Sequence, residues 1–149
     1  MEGLFIREAT ANDVAQILLL YQNAGIESEE PFTPEEAQKH FVVFTQYPNY
    51  HVFVATLEEQ IVGTYELLVM DNLAKHGRRS GVVEDVAVSP GHQGSGIGRA
   101  LMQHAKAQCQ QAGCYKFVLS SGVHREAAHA FYDSLDMKRH GFSFLTELD

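Results

Sequence analysis

The sequence predicts an α/β (α+β) fold: one mixed, mostly antiparallel twisted sheet of six to seven strands with about four flanking helices. The first observation is a hairpin, in which the β-prone runs 51–57 and 60–70 are separated only by Glu58-Glu59. The second is that strands and amphipathic helices alternate from residue 82 onward, which is typical of helices packed on the faces of a sheet. No repeat or linker interrupts the chain, so residues 1–149 are predicted to form a single domain.

The N-terminal part is predicted to contain one strand and two helices before the hairpin. Residues 4–7 are short and β-prone. A helix is predicted for residues 10–25, because apolar side chains recur there at helical spacing: Val14, Ile17, Leu18 and Tyr21. A polar connection, residues 26–32, leads to a second helix. A capping box at Thr33–Glu36, with proline at the first helical position, opens that helix, which is predicted to end near Gln46.

The C-terminal part is predicted to alternate strands with helices. Residues 82–89 are the most β-prone run of the chain, and an amphipathic helix is predicted to follow at about 96–111. A strand is predicted at 115–121 and a helix at 125–135. The final run, 137–148, is predicted to add a last strand or two.

Composition disfavours several classes of partner. The 149 residues carry a formal net charge of -8, which is unfavourable for non-specific binding to nucleic acid or to an anionic membrane surface. The N-terminus lacks a basic segment followed by an apolar run, and no window approaches a membrane-spanning length, so a cytoplasmic protein is expected. The two cysteines, Cys109 and Cys114, match no metal-ligand spacing and are interpreted as reduced thiols. No metal site is predicted.

The run HQGSGIGRAL, residues 92–101, is the most informative stretch of the sequence. It places three glycines at alternate positions between a strand and a helix, although ordered glycine loses more backbone entropy than other residues. The first N–H groups of a helix have no acceptor within the helix and favour an anion, so the run indicates a phosphate-binding loop. A tight turn without a ligand is the alternative.

Two nucleotide-binding patterns fail on this run. Gly91 and Gly96 have the spacing of a Walker loop, but Ile97 and Gly98 follow where lysine and a hydroxyl residue are needed. The dinucleotide pattern GxGxxG would need its third glycine at Arg99 or Leu101. A nucleoside triphosphatase or dinucleotide-binding protein is therefore disfavoured.

A third pattern does fit. The residues from Gln93 to Gly98 match Q/R-x-x-G-x-G/A, and this loop resembles the pyrophosphate loop of the GNAT superfamily of N-acetyltransferases. VVEDVAVSPGHQGSGIGRALM is similar to that family's fourth strand, loop and third helix. GCYKFVLSS and AAHAFYDSL are similar to its fifth strand and fourth helix. The resemblance is strong from Val82 to Leu135 and looser before that.

The resemblance implies acetyl-CoA as co-substrate and a set of contacts with it. The fourth strand would separate from the fifth near a bulge, so that Val86, Ala87 and Val88 pair with the pantetheine arm. Arg125 lies where many family members carry asparagine and some carry arginine, in contact with coenzyme A; an exposed helix start is the alternative. The backbone N–H groups of the loop would bind the pyrophosphate: Gln93, Gly94, Ser95, Gly96, Ile97, Gly98 and Arg99. A homodimer is also expected by resemblance.

Three residues are the catalytic candidates. Tyr132 lies at the position of the family's general-acid tyrosine, and its phenol would protonate the coenzyme A thiolate; packing beside Phe131 is the alternative. Glu84 and Asp85 interrupt an apolar strand, where acids are uncommon. We favour Glu84 as the base for the amine, directly or through water, with Asp85 second, and surface or ion-paired carboxylates as the alternative.

The expected activity is transfer of an acetyl group from acetyl-CoA to a primary amine of a small molecule, by direct attack in a ternary complex. A non-catalytic acyl-CoA sensor or partner-binding module on the same fold is the alternative. One residue departs from the family pattern: Asp136 stands where a glycine usually ends the fourth helix, and asparagine or aspartate can adopt the left-handed conformation at some cost. The identity of the amine stays open.

Overall fold

The computed structural model describes residues 1–26 and 30–148, so part of the predicted polar connection, residues 27–29, lies outside the described residues. The chain divides into two compact units, Met1–Val118 and Leu119–Asp149. The described strands are β1 (Leu4–Glu8), β2 (Tyr50–Leu57), β3 (Gln60–Met70), β4 (Arg79–Val88) and β5 (Cys114–Val118). The described α-helices are α1 (Val14–Ala24), α2 (Pro34–Gln46), α3 (Ile97–Gln111) and α4 (Glu126–Asp133).

The five described strands form one mixed sheet in the order β1-β2-β3-β4-β5. The first three pairings are antiparallel, and β4 pairs with β5 in parallel. The β2–β3 hairpin closes through Glu58 and Glu59, which have φ values of 49° and 66°. Two consecutive left-handed residues match the twist of the flanking strands, so this turn fixes the register of the hairpin. The predicted hairpin and mixed sheet are confirmed.

The predicted number of strands is wrong. Six to seven strands were expected, and the structure describes five, because residues 137–148 form no strand within the described part of the chain. Apolar residues alternate there, yet Phe142 and Phe144 remain more than nine-tenths exposed. Local β-propensity does not suffice for a strand, since the backbone N–H and C=O groups need a neighbouring ladder. The left-handed conformation predicted for Asp136 is confirmed, with a φ of 58°.

Helices cover both faces of the sheet. On one face α1 packs against β3 and β4 and α2 packs against β2, around a core that includes Ile17, Val54 and Ala87. On the other face α3 packs against β3, β4 and β5, and its Leu101 is fully buried. Because side chains alternate along a strand, residues of β3 and β4 divide between these two faces.

β4 carries the irregularity that positions the candidate site. Its ladder with β5 runs only from Arg79 to the pair Val82↔Val118, whereas β4 itself continues to Val88. Its register with β3 shifts by one residue between Glu84 and Ala87, and Asp85 has a φ of 48°. An extra residue with left-handed backbone is a β-bulge, a feature enriched next to active sites. The bulge and the early end of pairing agree with the expected separation of the two strands.

Gly81→Ala is expected to lower the free energy of unfolding by about 1–3 kcal/mol, because the space beside Gly81 is already filled by neighbouring side chains and has no room for a methyl group. A Cβ at Gly81 would lie 2.5 Å from the Cys109 sulfur and 3.1 Å from the Phe117 Cβ. Denaturant unfolding measures the difference. Gly91→Ala is the control, because nothing lies within 4 Å of its added Cβ. Equal stability of the two variants would contradict the packing argument.

Candidate active site

The glycine loop joins β4 to α3 and has the backbone of an anion-binding turn. Gly94 and Gly96 have φ values of 77° and 94°, a region that side chains rarely adopt, and space is open within 4 Å of each added Cβ. Gly96 is the N-cap of α3, which begins at Ile97. The N–H groups of Ile97 and Gly98 therefore have no partner within the helix and stand at the positive end of a 15-residue helix.

Contacts within the loop hold this backbone in place. The His92 carbonyl accepts hydrogen bonds from the Ser95 N–H, at 3.3 Å, and from the Ser95 hydroxyl. Ile97 is 1% exposed as a whole residue, so it anchors the first turn of α3 in the core. The buried Nδ1 atom of His92 has no hydrogen-bond partner in the described parts of the chain. The glycine backbone at the helix N-terminus is an arrangement that fits a phosphate group.

The backbone of β4 beyond the bulge offers an open edge. The Ser89 N–H donates to the Val62 carbonyl at 2.8 Å, so Ser89 faces the β3 side. Successive residues of an antiparallel ladder point their N–H and C=O groups to opposite sides. It follows that the backbone N–H and C=O groups of Ala87 also point toward β3. Those of Val86 and Val88 point away from β3, to the side where the β5 ladder has already ended. Of the three residues predicted to pair with pantetheine, Val86 and Val88 therefore have backbone groups on the open side, whereas those of Ala87 are directed at β3.

Glu84 and Asp85 lie at the bulge, and both side chains remain accessible to solvent. Partial burial raises the pKa of the Glu84 carboxyl, and the neighbouring Asp85 charge raises it further. Partial burial also raises the pKa of Asp85. In residues 1–26 and 30–148, no basic side chain forms an ion pair with either carboxylate. Carboxyl groups with raised proton affinity suit a base that works near neutral pH.

Sequence reasoning missed a third carboxylate, Glu66 of β3, which is directly opposite Glu84 in the strand register. Glu66 is 7% exposed, and its two oxygens accept hydrogen bonds from the Tyr21 hydroxyl, at 3.1 Å, and the Tyr50 hydroxyl, at 2.7 Å. Burial, then the charges of Asp85 and Glu84, raise the pKa of Glu66, while the two hydrogen bonds oppose the rise. The available signal was the same one that identified Glu84: an acid inside an apolar strand.

The C-terminal unit brings together Arg125 and Tyr132 on α4. Arg125 is the N-cap residue of the helix, and Tyr132 lies seven residues later, two turns along the same face. Burial raises the pKa of the Tyr132 phenol, and the Arg125 cation lowers it in part. The ring of Tyr132 also packs on Phe131 at 5.1 Å between centroids. The phenol is therefore held in its protonated form at neutral pH.

Two basic residues at the start of β4, Arg78 and Arg79, already have partners. Arg79 donates from Nε to Asp71 at 3.1 Å, and Arg78 lies over the ring of Tyr115 at 5.4 Å.

Among the described residues, no three His, Cys, Asp or Glu side chains are arranged to hold a metal ion. Within the same residues, no helix combines the length and apolar character that crossing a membrane requires.

Comparison with known proteins agrees with this geometry. A family model described as the acetyltransferase (GNAT) family matches residues 20–137. The chain belongs to the GNAT acetyltransferase family. The chain is similar to a solved structure described as an acetyltransferase, from Agrobacterium tumefaciens str. C58: the two are 32% identical, with a TM-score of 0.90 over 97% of this chain and 99% of that chain.

Two curated relatives of this GNAT chain carry named activities. A glucosamine 6-phosphate N-acetyltransferase from Trypanosoma brucei brucei is 35% identical over 81 residues, 54% of this chain and 53% of that protein. An aminoalkylphosphonate N-acetyltransferase from Salmonella typhimurium is 31% identical over 101 residues, 68% of this chain and 65% of that protein. The matched regions thus span between half and two thirds of these relatives.

Proposed function

We propose that this GNAT chain transfers the acetyl group of acetyl-CoA to a primary amine of a small molecule, by direct attack in a ternary complex. The observation that carries the proposal is the continuity of β4 with the loop and α3. An open strand edge leads directly into a backbone nest at a helix N-terminus. An extended, amide-bearing ligand that ends in a pyrophosphate matches both parts.

Acetyl-CoA would supply an activated thioester, and the chain's backbone would hold it. The N–H groups from Gln93 to Arg99 are proposed to bind the pyrophosphate, with Gly94 and Gly96 allowing close approach. Val86 and Val88 are proposed to pair with the pantetheine amides, with Ala87 between them. Arg125 is proposed to add a cation on the cofactor side.

Two proton movements are assigned to side chains. A carboxylate at the β4 bulge, Glu84 in preference to Asp85, is proposed to accept the proton of the amine, directly or through water. Tyr132 is proposed to donate its phenolic proton to the departing thiolate, and its raised pKa keeps that proton available at neutral pH. Activity should therefore rise with pH through a carboxyl pKa above the usual glutamate range.

The relatives' names supply the first amines to test. One acts on glucosamine 6-phosphate and another on aminoalkylphosphonates, so both known acceptors combine an amine with a phosphorus-centred acid. The net charge of -8 favours cationic amines instead, such as polyamines or aminoglycosides. The phosphorus-containing acceptors and the cationic acceptors have a primary amine in common. A homodimer in the cytoplasm is the proposed working form.

The deciding experiment measures free-thiol release from acetyl-CoA over a panel of glucosamine 6-phosphate, an aminoalkylphosphonate, a polyamine and an aminoglycoside. Thiol release above the rate without amine, with product mass increased by one acetyl group, is expected for at least one acceptor. Calorimetric titration with acetyl-CoA is run beside it. Binding without turnover on any amine would favour the acyl-CoA sensor, and absence of binding would contradict both functions.

A further inference from the structure

The side chains of Tyr50 and Glu66 form a hydrogen-bonded pair in which Glu66 is buried and Tyr50 is partly buried. The Tyr50 hydroxyl donates to Glu66 Oε2 at 2.7 Å, a short hydrogen bond between a phenol and a carboxylate. Tyr21 holds the other carboxylate oxygen at 3.1 Å. Within residues 1–26 and 30–148, no basic side chain pairs with Glu66. A buried carboxylate without a cationic partner has a strong affinity for a proton.

A cavity adjoins this pair on the side of Tyr50. Its volume is about 220 Å³, and Tyr50 lines it together with the aromatic side chains Phe41, Phe44 and Tyr47. Tyr50 therefore lines the cavity and also donates a hydrogen bond from its hydroxyl to the buried carboxylate. Tyr50 thus connects the cavity with Glu66.

We propose that Tyr50 and Glu66 form a proton relay for the acceptor amine. The ammonium N–H transfers its proton to the Tyr50 oxygen, and the Tyr50 hydroxyl transfers its own proton to Glu66 Oε2. The products are a neutral amine, an unchanged tyrosine and a neutral glutamic acid, so protons and charge balance without a co-reactant. This inference rests on the proposed function and refines it: Glu66, reached through Tyr50, takes the place of Glu84 as the acceptor of the amine proton.

The groups around Glu66 support the direction of transfer. Tyr21 from α1 and Tyr50 from β2 donate hydrogen bonds to the carboxylate, and Glu84 and Asp85 from β4 add negative charge beside it. Burial, together with these two charges, raises the pKa of Glu66 above that of an isolated glutamate. A base whose pKa approaches the working pH accepts a proton efficiently and still releases it to solvent after turnover.

Glu66→Gln and Tyr50→Phe test the relay. Both variants keep the size of the side chain, and glutamine can still accept a hydrogen bond from Tyr50 without accepting its proton. We expect each to lower kcat about 100-fold, with acetyl-CoA affinity unchanged. In the wild type, kcat/KM should rise with pH through a value above the usual glutamate pKa, and this limb should disappear in Glu66→Gln.

Tyr21→Phe is the matched control. It removes the other hydrogen bond to Glu66 but leaves the Tyr50 route intact. Because that bond lowers the pKa of Glu66, the pH limb should persist and move to higher pH. Thermal unfolding of all three variants separates a loss of packing from a loss of proton transfer. The pH limb is a readout that a purely structural role of Glu66 would leave in place.

Two outcomes would overturn the relay. The first is that Glu66→Gln and Tyr50→Phe both keep the kcat and pH profile of the wild type, while Glu84→Gln loses activity. This result would assign the base to Glu84 alone and leave the proposed function standing. No thiol release by the wild type with any amine would remove the proposed function itself, and the relay with it. The second result is visible before any variant is made.

Discussion

Gly96→Val is expected to weaken acetyl-CoA binding by about 100-fold or more, which corresponds to about 2.7 kcal/mol. Valine is β-branched and strained at a φ of 94°, and its side chain would fill the open space in front of the helix N-terminus. The N–H groups of Ile97 and Gly98 would then be shielded from a pyrophosphate. Calorimetric titration of the folded variant measures the change in affinity.

Gly113→Val is the matched control for this experiment. Gly113 also has a positive φ, 75°, with open space around its added Cβ, but it follows the C-terminal end of α3. Both valine substitutions should therefore reduce stability by a similar amount through backbone strain, about 1–3 kcal/mol. Only the one in the loop should reduce affinity. Wild-type affinity in Gly96→Val, or equal losses in both variants, would contradict the loop assignment.

The sequence predicted those elements whose signals are local. The second helix was predicted from a capping box and proline, and Thr33 indeed accepts a hydrogen bond from the Glu36 N–H while α2 ends at Gln46 as expected. The strand at 60–70 was predicted with the same bounds that β3 has, because the Glu58-Glu59 turn fixes where it begins. Short-range hydrogen bonds and backbone preferences determine these features.

The sequence did not reveal features that depend on distant partners. The run 137–148 has strand-like composition, but strand formation depends on a neighbouring ladder that no local pattern specifies. Glu66 has the same local signal as Glu84, an acid inside an apolar strand, but its hydrogen-bond partners are distant in sequence: Tyr21 is 45 residues away and Tyr50 is 16 residues away. The helical spacing places Tyr21 on the apolar face of the first helix, which does not indicate a polar role for its hydroxyl. Two tyrosines converging on one buried carboxylate become visible only when the strands are in register.

Tyr132→Phe is expected to lower kcat about 100-fold while leaving the affinity for acetyl-CoA within a factor of about three. Phenylalanine keeps the ring contact with Phe131 but removes the proton that the thiolate needs. Because burial raises the pKa of Tyr132, the wild-type rate should persist into alkaline solution and fall only where the phenol ionises. Steady-state kinetics across pH measure both effects, with Tyr115→Phe as a control that loses a phenol elsewhere.

The identity of the leaving group separates general acid catalysis from packing at Tyr132. A thiolate is a strong enough base to benefit from protonation as it departs, whereas a nitrophenolate is a weaker base and leaves without it. The deficit of Tyr132→Phe should therefore shrink when a nitrophenyl acetate replaces acetyl-CoA as the acetyl donor. An equal deficit with both donors would mean that the phenol positions the reactants, and wild-type kinetics with acetyl-CoA would leave Tyr132 as a packing residue beside Phe131.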